Sequence, residues 1–389
     1  MNLNTANLAS KKVLLRVDFN TPLQDNGEIE DDSRIVKTIP TIKFLLEKGA
    51  KQIIIITHLG RPKGEIIEKL KTDVLAKKLE KLLKESVIKI NEITPKSVPE
   101  KAKIIMLENL RFDPREKKND DKMARELAKL ADIYVNDAFG ASHREHTSIV
   151  AITKHLPSYA GLLLQKEIDV LSEVLKNPKK PLTVILGGAK IDTKIGIIKN
   201  FLNKADNILV GGGIANTFLY AQGYDIGQSL YEKDKKEIAQ EIMMTAEIEH
   251  EKFVIPKDVI VASEAKENAV TLDIPIEDLE LDMKIFDIGK ETLGKFLYII
   301  KNSGMIIWNG PVGLFECKAF ERGTKAIAEM LSISKAKTIL GGGDTISALK
   351  KFKISEDKFD HVSTGGGAML EFLEGKELPG IIALEKSVK

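Results

Sequence analysis

The strongest constraint on the fold is a pattern repeated along the whole chain, in which short β-branched runs alternate with longer segments of helical period. Strands separated by helices pair in parallel and bury both faces, so the pattern predicts parallel sheets covered by helices. In the first half the candidate strands are 13–19, 52–58, 87–90, 103–107 and 133–139. In the second half they are 182–188, 207–213, 252–256, 305–310 and 337–343. At 389 residues the chain exceeds what one hydrophobic core organises, so two α/β domains are expected. Segment 161–177 has helical spacing, ends before Pro178 and lies between the two series. It reads as an interdomain helix, with the boundary near residue 175. A further helix is predicted from Ser33, as N-cap, to Gly49, as C-cap, with a stripe of Ile35, Ile39, Ile42, Leu45 and Leu46. Pro40 inside it should kink or divide it. The tail around Ile381–Leu384 is too apolar to be solvated and is expected to dock.

Composition narrows the setting. One cysteine, Cys317, excludes an internal disulfide and fits a reducing compartment. The opening residues lack a basic segment followed by an apolar run, and no apolar stretch is long enough to span a bilayer. A cytoplasmic protein with no membrane partner is expected. A net charge of +2 gives no support for nucleic acid as a partner. The kind of basic residue is more informative. Only eight of the 59 are arginine: Arg16, Arg34, Arg61, Arg111, Arg115, Arg125, Arg144 and Arg322. Seven precede residue 145, several at strand ends, and four of the six histidines (His58, His143, His146, His155) precede residue 156. Arginine offers a planar fork for anions, so the first half is expected to hold an anion site; Arg125 reads as a solvated helix face, and Arg115 with Lys117 and Lys118 as surface.

The second half carries four glycine clusters beside apolar runs or helix starts: Gly187-Gly188, Gly211–Gly213, Gly341–Gly343 and Gly365–Gly367. Glycine lets backbone N–H groups approach an anion, and a helix beginning there adds its positive end. Singly, each could be a tight turn; together they predict a nucleotide site beyond the carboxyl ends of parallel strands. No GxxxxGK[ST] occurs, no GxGxxG opens a helix after the first strand, and the protein-kinase set is absent. The histidine spacing and the lack of paired cysteines speak against zinc.

Several stretches together resemble phosphoglycerate kinases: RVDFNTP (16–22), HLGRP (58–62), ENLRF (108–112) and NDAFGASHR (136–144), then GGAKIDTK (187–194), GGGIANTF (211–218), WNGPVGLFE (308–316), GGGDT (341–345) and HVSTGGGAMLEFLEGKELPG (361–380). The likeness covers the whole chain in order. It implies two Rossmann-like domains, 1–175 for phosphoglycerate and 176–371 for nucleotide, joined by a long helix, with tail 372–389 returning to the first. By the matching motifs, Asp18, Phe19, Asn20, Arg34, His58, Leu59, Gly60, Arg61, Arg111 and Arg144 would hold 3-phosphoglycerate or 1,3-bisphosphoglycerate. Lys190, Lys194, Gly211, Gly289, Asn309, Glu316, Gly342, Gly343, Asp344 and Thr345 would serve ADP or ATP, with Asp344 on Mg2+. Arg34, Lys194 and Gly343 would be catalytic. The family also implies a monomer. There are departures: Thr21 and Thr57, both mild, Ala141-Ser142 where Thr-Ala is typical, and Lys290 where the family usually has proline beside Gly289; none removes a charged catalytic group.

The chemistry agrees with this. A carboxylate of 3-phosphoglycerate is already ionised at neutral pH and needs no general base. What remains is positioning, charge neutralisation, and a domain closure that excludes water. Two rivals share the strand–helix pattern. A nicotinamide-dependent oxidoreductase lacks its fingerprint here, and a catalytically silent nucleotide-binding protein would not be expected to keep Arg34, Lys194 and Asp344.

Overall fold

The computed structural model describes residues 2–248 and 252–387; Met1 and the last two residues of the expected tail lie outside them. The chain divides into two compact units, Met1–Val170 with Glu377–Lys389, and Leu171–Lys376.

In the first unit, β1 (Lys12–Arg16), β2 (Gln52–Ile56), β3 (Val87–Ile90), β4 (Ile104–Leu107), β5 (Ile133–Asn136) and β6 (Ser158–Ala160) form one sheet ordered β3-β4-β2-β1-β5-β6. Every pairing in it is parallel. β2, β4 and β5 are buried at every position, as strands covered on both faces must be. Val13, Leu15, Ile53 and Ile55 share one core with Ile35, Ile42 and Leu45 of α1 (Ser33–Glu47) and Leu75 and Leu79 of α2 (Asp73–Leu83).

Helix α1 bears on three sequence expectations. It is not divided at Pro40, because Thr38, Thr41, Ile42 and Leu45 are buried on either side of the proline and hold both halves in place. Ser33 is the first helical residue rather than the N-cap; its N–H goes to the Asp31 carboxylate at 2.9 Å. Lys48 is the C-cap, and Gly49 follows it with φ +78°.

After α3 (Asp121–Ala128), α4 (Leu162–Lys176) contains the division between the units, at Val170/Leu171; residue 175 lies in the same helix. In the second unit, β7 (Leu182–Leu186), β8 (Asn207–Val210), β9 (Phe253–Val254), β10 (Asp258–Ala262), β11 (Leu272–Pro275), β12 (Lys284–Ile288), β13 (Met305–Asn309), β14 (Lys337–Gly341) and β15 (His361–Val362) make two sheets. The larger, β15-β14-β13-β7-β8-β9, is wholly parallel. The smaller, β11-β10-β12, is antiparallel, and the sequence pattern gave no sign of it. No residue of β11 is buried, so it has no alternation to read.

Helices α5 (Ile195–Phe201), α6 (Gly212–Gln222), α7 (Lys236–Ile248), α8 (Lys290–Lys301), α9 (Arg322–Ser332), α10 (Gly343–Lys351) and α11 (Gly367–Leu373) complete this unit. The returning α12 (Pro379–Glu385) packs on β6 and the turn Ala151–Lys154 of the first unit. Its Gly380 donates to the Ser142 carbonyl at 2.9 Å, and a Cβ there would sit 2.7 Å from the Ile149 side chain. In each parallel sheet one central pair marks the point where strand order reverses, β1 beside β5 and β7 beside β13. Crevices open at such points beyond the strand ends.

Candidate active site

In the first unit the segments after β1, β2 and β4 meet beyond the sheet. Thr57, at the end of β2, accepts the Phe19 N–H at 3.1 Å and donates to the Val17 carbonyl at 3.0 Å, so threonine fulfils the clamp at this departure. Asn20 accepts the Gly60 N–H at 2.8 Å. Asn109 holds both backbone groups of Leu59, at 3.2 and 2.8 Å. Asp18 pairs with Arg34 of α1. These bonds bring Asp18, Asn20, Arg34, His58 and Gly60 together.

Phe19 and Leu59 differ from the rest of the expected set. Their side chains lie in the hydrophobic core, so only their backbone borders the strand ends. Arg61 is exposed and Arg144 half-buried, the latter bonded through Nε to His143 at 3.0 Å.

Arg111 is buried, with 4% of its surface exposed. Its Nη1 donates to the Gly60 carbonyl at 2.7 Å, but its Nε and Nη2 are buried without any hydrogen-bond partner. Burial, then the neighbouring Arg144 and Arg16, lower its pKa to about 10. A buried cation with donors to spare, raised in energy by like charges, is a site that an anion would stabilise. His58 is held well below the ordinary imidazole value by burial and by Arg16, Arg111 and Arg144, so it is neutral at pH 7.

Sequence reasoning counted Arg16 among the first-half arginines but gave no individual role to it, a fully buried side chain against His58, or to Glu116, a fully buried carboxylate in a turn read as surface. No linear signal marks Glu116; its neighbours Arg115, Lys117 and Lys118 are those of a solvated turn.

In the second unit two adjoining cavities lie beyond β7, β13 and β14. One, of about 240 Å³, is lined by Gly187-Gly188, Lys190, Lys194, Asn309, Gly342–Thr345 and Gly366-Gly367. The other, of about 590 Å³, shares Gly188, Ala189 and Asp344 with it, and adds Leu230, Tyr231, Val259, Pro311, Val312, Leu314 and Glu316. A small polar chamber of helix starts joined to a larger apolar one suits a polyphosphate and a flat heterocycle.

The local geometry explains the residue types. Asn309 ends β13, donates to the Gly341 carbonyl at 2.9 Å and accepts from the Lys194 ammonium. Gly342 caps α10 at φ +100°, and its missing side chain leaves room for Asn309. Thr345 takes the Gly310 N–H at 2.8 Å. Lys194 is buried at the N-cap of α5; burial lowers its pKa to about 8, opposed by Asp344 and Glu374. Lys190, Glu316 and Asp344 are exposed.

Gly211 and Gly289 line neither cavity. Gly211 packs against Val312, and Gly289 has no room for a Cβ beside Asp258 and Asp273. The departure at Lys290 has its own use. Its backbone N–H, which proline would lack, donates to Asp273 at 3.1 Å and ties β11 to the start of α8.

The sequence profile of the family described as phosphoglycerate kinase matches residues 3–376. The chain belongs to the phosphoglycerate kinase family. It is 47% identical over 392 residues to a phosphoglycerate kinase of Dictyoglomus turgidum, with 99% of this chain and 98% of that protein covered. To one of Moorella thermoacetica it is 45% identical over 390 residues, with the same coverage. Its fold matches the phosphoglycerate kinase structure from Coxiella burnetii with a TM-score of 0.90 at 41% identity, covering 99% of both chains. The Pyrococcus horikoshii enzyme gives 0.82 at 33% identity, covering 99% of this chain and 98% of that one.

Proposed function

We propose that this chain reversibly transfers a phosphoryl group between 1,3-bisphosphoglycerate and MgADP, giving 3-phosphoglycerate and MgATP, as a cytoplasmic monomer. Family membership and full-length coverage support the reaction. The single cysteine supports a reducing compartment, and among the described residues no helix is long and apolar enough to cross a membrane.

One observation carries the substrate assignment: Arg111 offers two buried, unpartnered N–H-bearing nitrogens beside the neutral donor His58. That is a receptor for an acidic three-carbon substrate. Asp18 orients Arg34, and Asn20 holds the Gly60 turn that Arg111 also grips. In the second unit Lys194 and the N–H groups opening α10 take the phosphate chain, and the larger cavity takes the nucleoside. The carboxylate oxygen of 3-phosphoglycerate attacks the terminal phosphorus of ATP as the bond to the ADP oxygen breaks in line. No base takes part, and no covalent enzyme intermediate forms. Arg34 and Lys194 neutralise the transferring oxygens, and the N–H of Gly343 adds to them. A closing motion that excludes water accompanies substrate binding. Small-angle scattering with both substrates should show a smaller radius of gyration; an unchanged radius would argue against closure.

Asp344 suits magnesium, which favours one or two carboxylates plus substrate phosphates over a protein cage. It is exposed in the first turn of α10 and borders both cavities. Among the described residues there is no cluster of three or more His, Cys, Asp or Glu that could hold a metal alone. When bound, the ion supplies positive charge to the nucleotide phosphates. Asp344→Asn is expected to raise the magnesium concentration for half-maximal rate by about tenfold with little change in the KM for 3-phosphoglycerate, as magnesium titrations of initial rate would show.

Lys194 gives a pH dependence. Below about pH 8 its ammonium is charged and binds phosphate; above that it becomes neutral. MgADP affinity is therefore expected to weaken as pH rises through this range, and Lys194→Arg should remove the inflection in calorimetric titrations. A coupled assay with 3-phosphoglycerate, MgATP and a dehydrogenase reporter tests the reaction itself. No turnover, or binding of a nicotinamide cofactor instead, would discard it.

A further inference from the structure

The anion pocket of the first unit contains a chain of side chains that the proposed reaction does not itself require. Glu116, Ser148 and Arg16 have no exposed surface, and His58 has 5%. Ser148 Oγ donates to Glu116 Oε1 at 2.6 Å, and its backbone N–H donates to Glu116 Oε2 at 3.0 Å. With its proton committed to the carboxylate, Ser148 Oγ accepts from Arg16 Nε at 2.8 Å. Arg16 Nη1 is fixed on the Val17 carbonyl, and Nη2 lies 3.1 Å from His58 Nδ1. A guanidinium has donors and no acceptors. His58 Nδ1 must therefore present its lone pair, and the ring proton must sit on Nε2.

We infer that the buried relay Glu116–Ser148–Arg16–His58 fixes the tautomer of His58, so that this histidine meets the substrate as an uncharged Nε2–H donor. The substrate part rests on the function proposed above; the tautomer follows from geometry alone. Three positioning residues each have one hydrogen-bond direction, and the only freedom left at the end is which anion the Nε2–H meets. The charged and titratable groups around the imidazole are Arg16, Arg111, Arg144, His146 and Asp18, the last with an oxygen 4.0 Å from Nδ1. The three arginines disfavour a positive ring, and Asp18 is already engaged by Arg34. Glu116 balances Arg16 from below, and its other neighbour, His146 at 3.8 Å, is lowered to about 3 by burial and the arginines, and so is also neutral. A neutral donor adds direction to a pocket whose charge the arginines already supply.

Two-bond nitrogen–proton correlation spectra of the whole protein, with ring nitrogens labelled, test this directly. The expected result is an unprotonated Nδ1 and a protonated Nε2 on His58 that persist as pH is lowered from about 8 to 5.5. Addition of 3-phosphoglycerate should move the Nε2 signal more than Nδ1. In Ser148→Ala the tautomers should mix, and the KM for 3-phosphoglycerate should rise about tenfold while that for MgATP stays constant. A wild-type His58 carrying its proton on Nδ1, or gaining a second proton between pH 6 and 7, would overturn the relay. So would a folded Ser148→Ala protein with the wild-type tautomer. If that variant does not fold, the wild-type spectra decide alone. The stated tautomer in a protein without phosphoglycerate turnover would leave the relay standing and remove the proposed reaction, so the two failures can be told apart.

Discussion

Replacing Arg34 with alanine is expected to lower kcat by about two to three orders of magnitude while leaving the Kd for MgADP within about twofold. Arg34 extends from the first turn of α1, with 31% of its side chain exposed, and Asp18 is its only ion-pair partner among the described residues. Removing it leaves the buried core of α1 intact, so the fold should persist and circular dichroism should be unchanged. The loss should fall on turnover because a guanidinium matches the three oxygens of a transferring phosphoryl group better than it matches either ground state. Arg34→Lys should recover little, since an ammonium cannot present two parallel donors. Steady-state kinetics in both directions, with calorimetry for the nucleotide, would check this. Equal losses in turnover and nucleotide affinity would contradict the assignment of Arg34 to the phosphoglycerate side.

Glu116→Ala should produce the largest loss of stability of any single charge removal in the first unit, about 3–5 kcal/mol. Arg16 would then remain fully buried without the Glu116 charge, and Ser148 would lose its acceptor. Burial pushes the Glu116 pKa up while Arg16 pulls it down, which is the signature of two groups that each make the other tolerable. The thermal midpoint of the first unit should fall by on the order of 10 °C. Adding Arg16→Met should recover part of the loss, since an apolar pair tolerates burial better than an orphaned cation. A double-mutant cycle measures the coupling, and strict additivity would show that the two groups do not depend on each other.

Much of this architecture can be read from the primary structure because parallel strands are uniform. Segments such as QIIII in β2 and LTVIL in β7 are buried throughout and stand out as apolar runs. The glycine clusters are legible for a related reason: α6, α10 and α11 begin at glycines, and a helix opening beside a strand end leaves no room for side chains. What escaped has physical causes. β11 is exposed and β15 is two residues long, so neither carries a period. Phe19 and Leu59 sit inside signature motifs, yet motif membership does not tell a core side chain from a pocket-lining one. Glu116 was missed because burial of a charge depends on partners 32 and 100 residues away, Ser148 and Arg16.

The placement of α12 has a consequence for biosynthesis. Residues from Glu377 onward belong with Met1–Val170, and everything from Leu171 to Lys376 is made between those two pieces. The second unit is therefore one uninterrupted stretch that can finish folding once it has left the ribosome. The other half must wait, with β6 and the Ala151–Lys154 turn uncovered, until the covering helix has emerged. A released chain truncated after Lys376 should accordingly protect its second unit from protease better than its first.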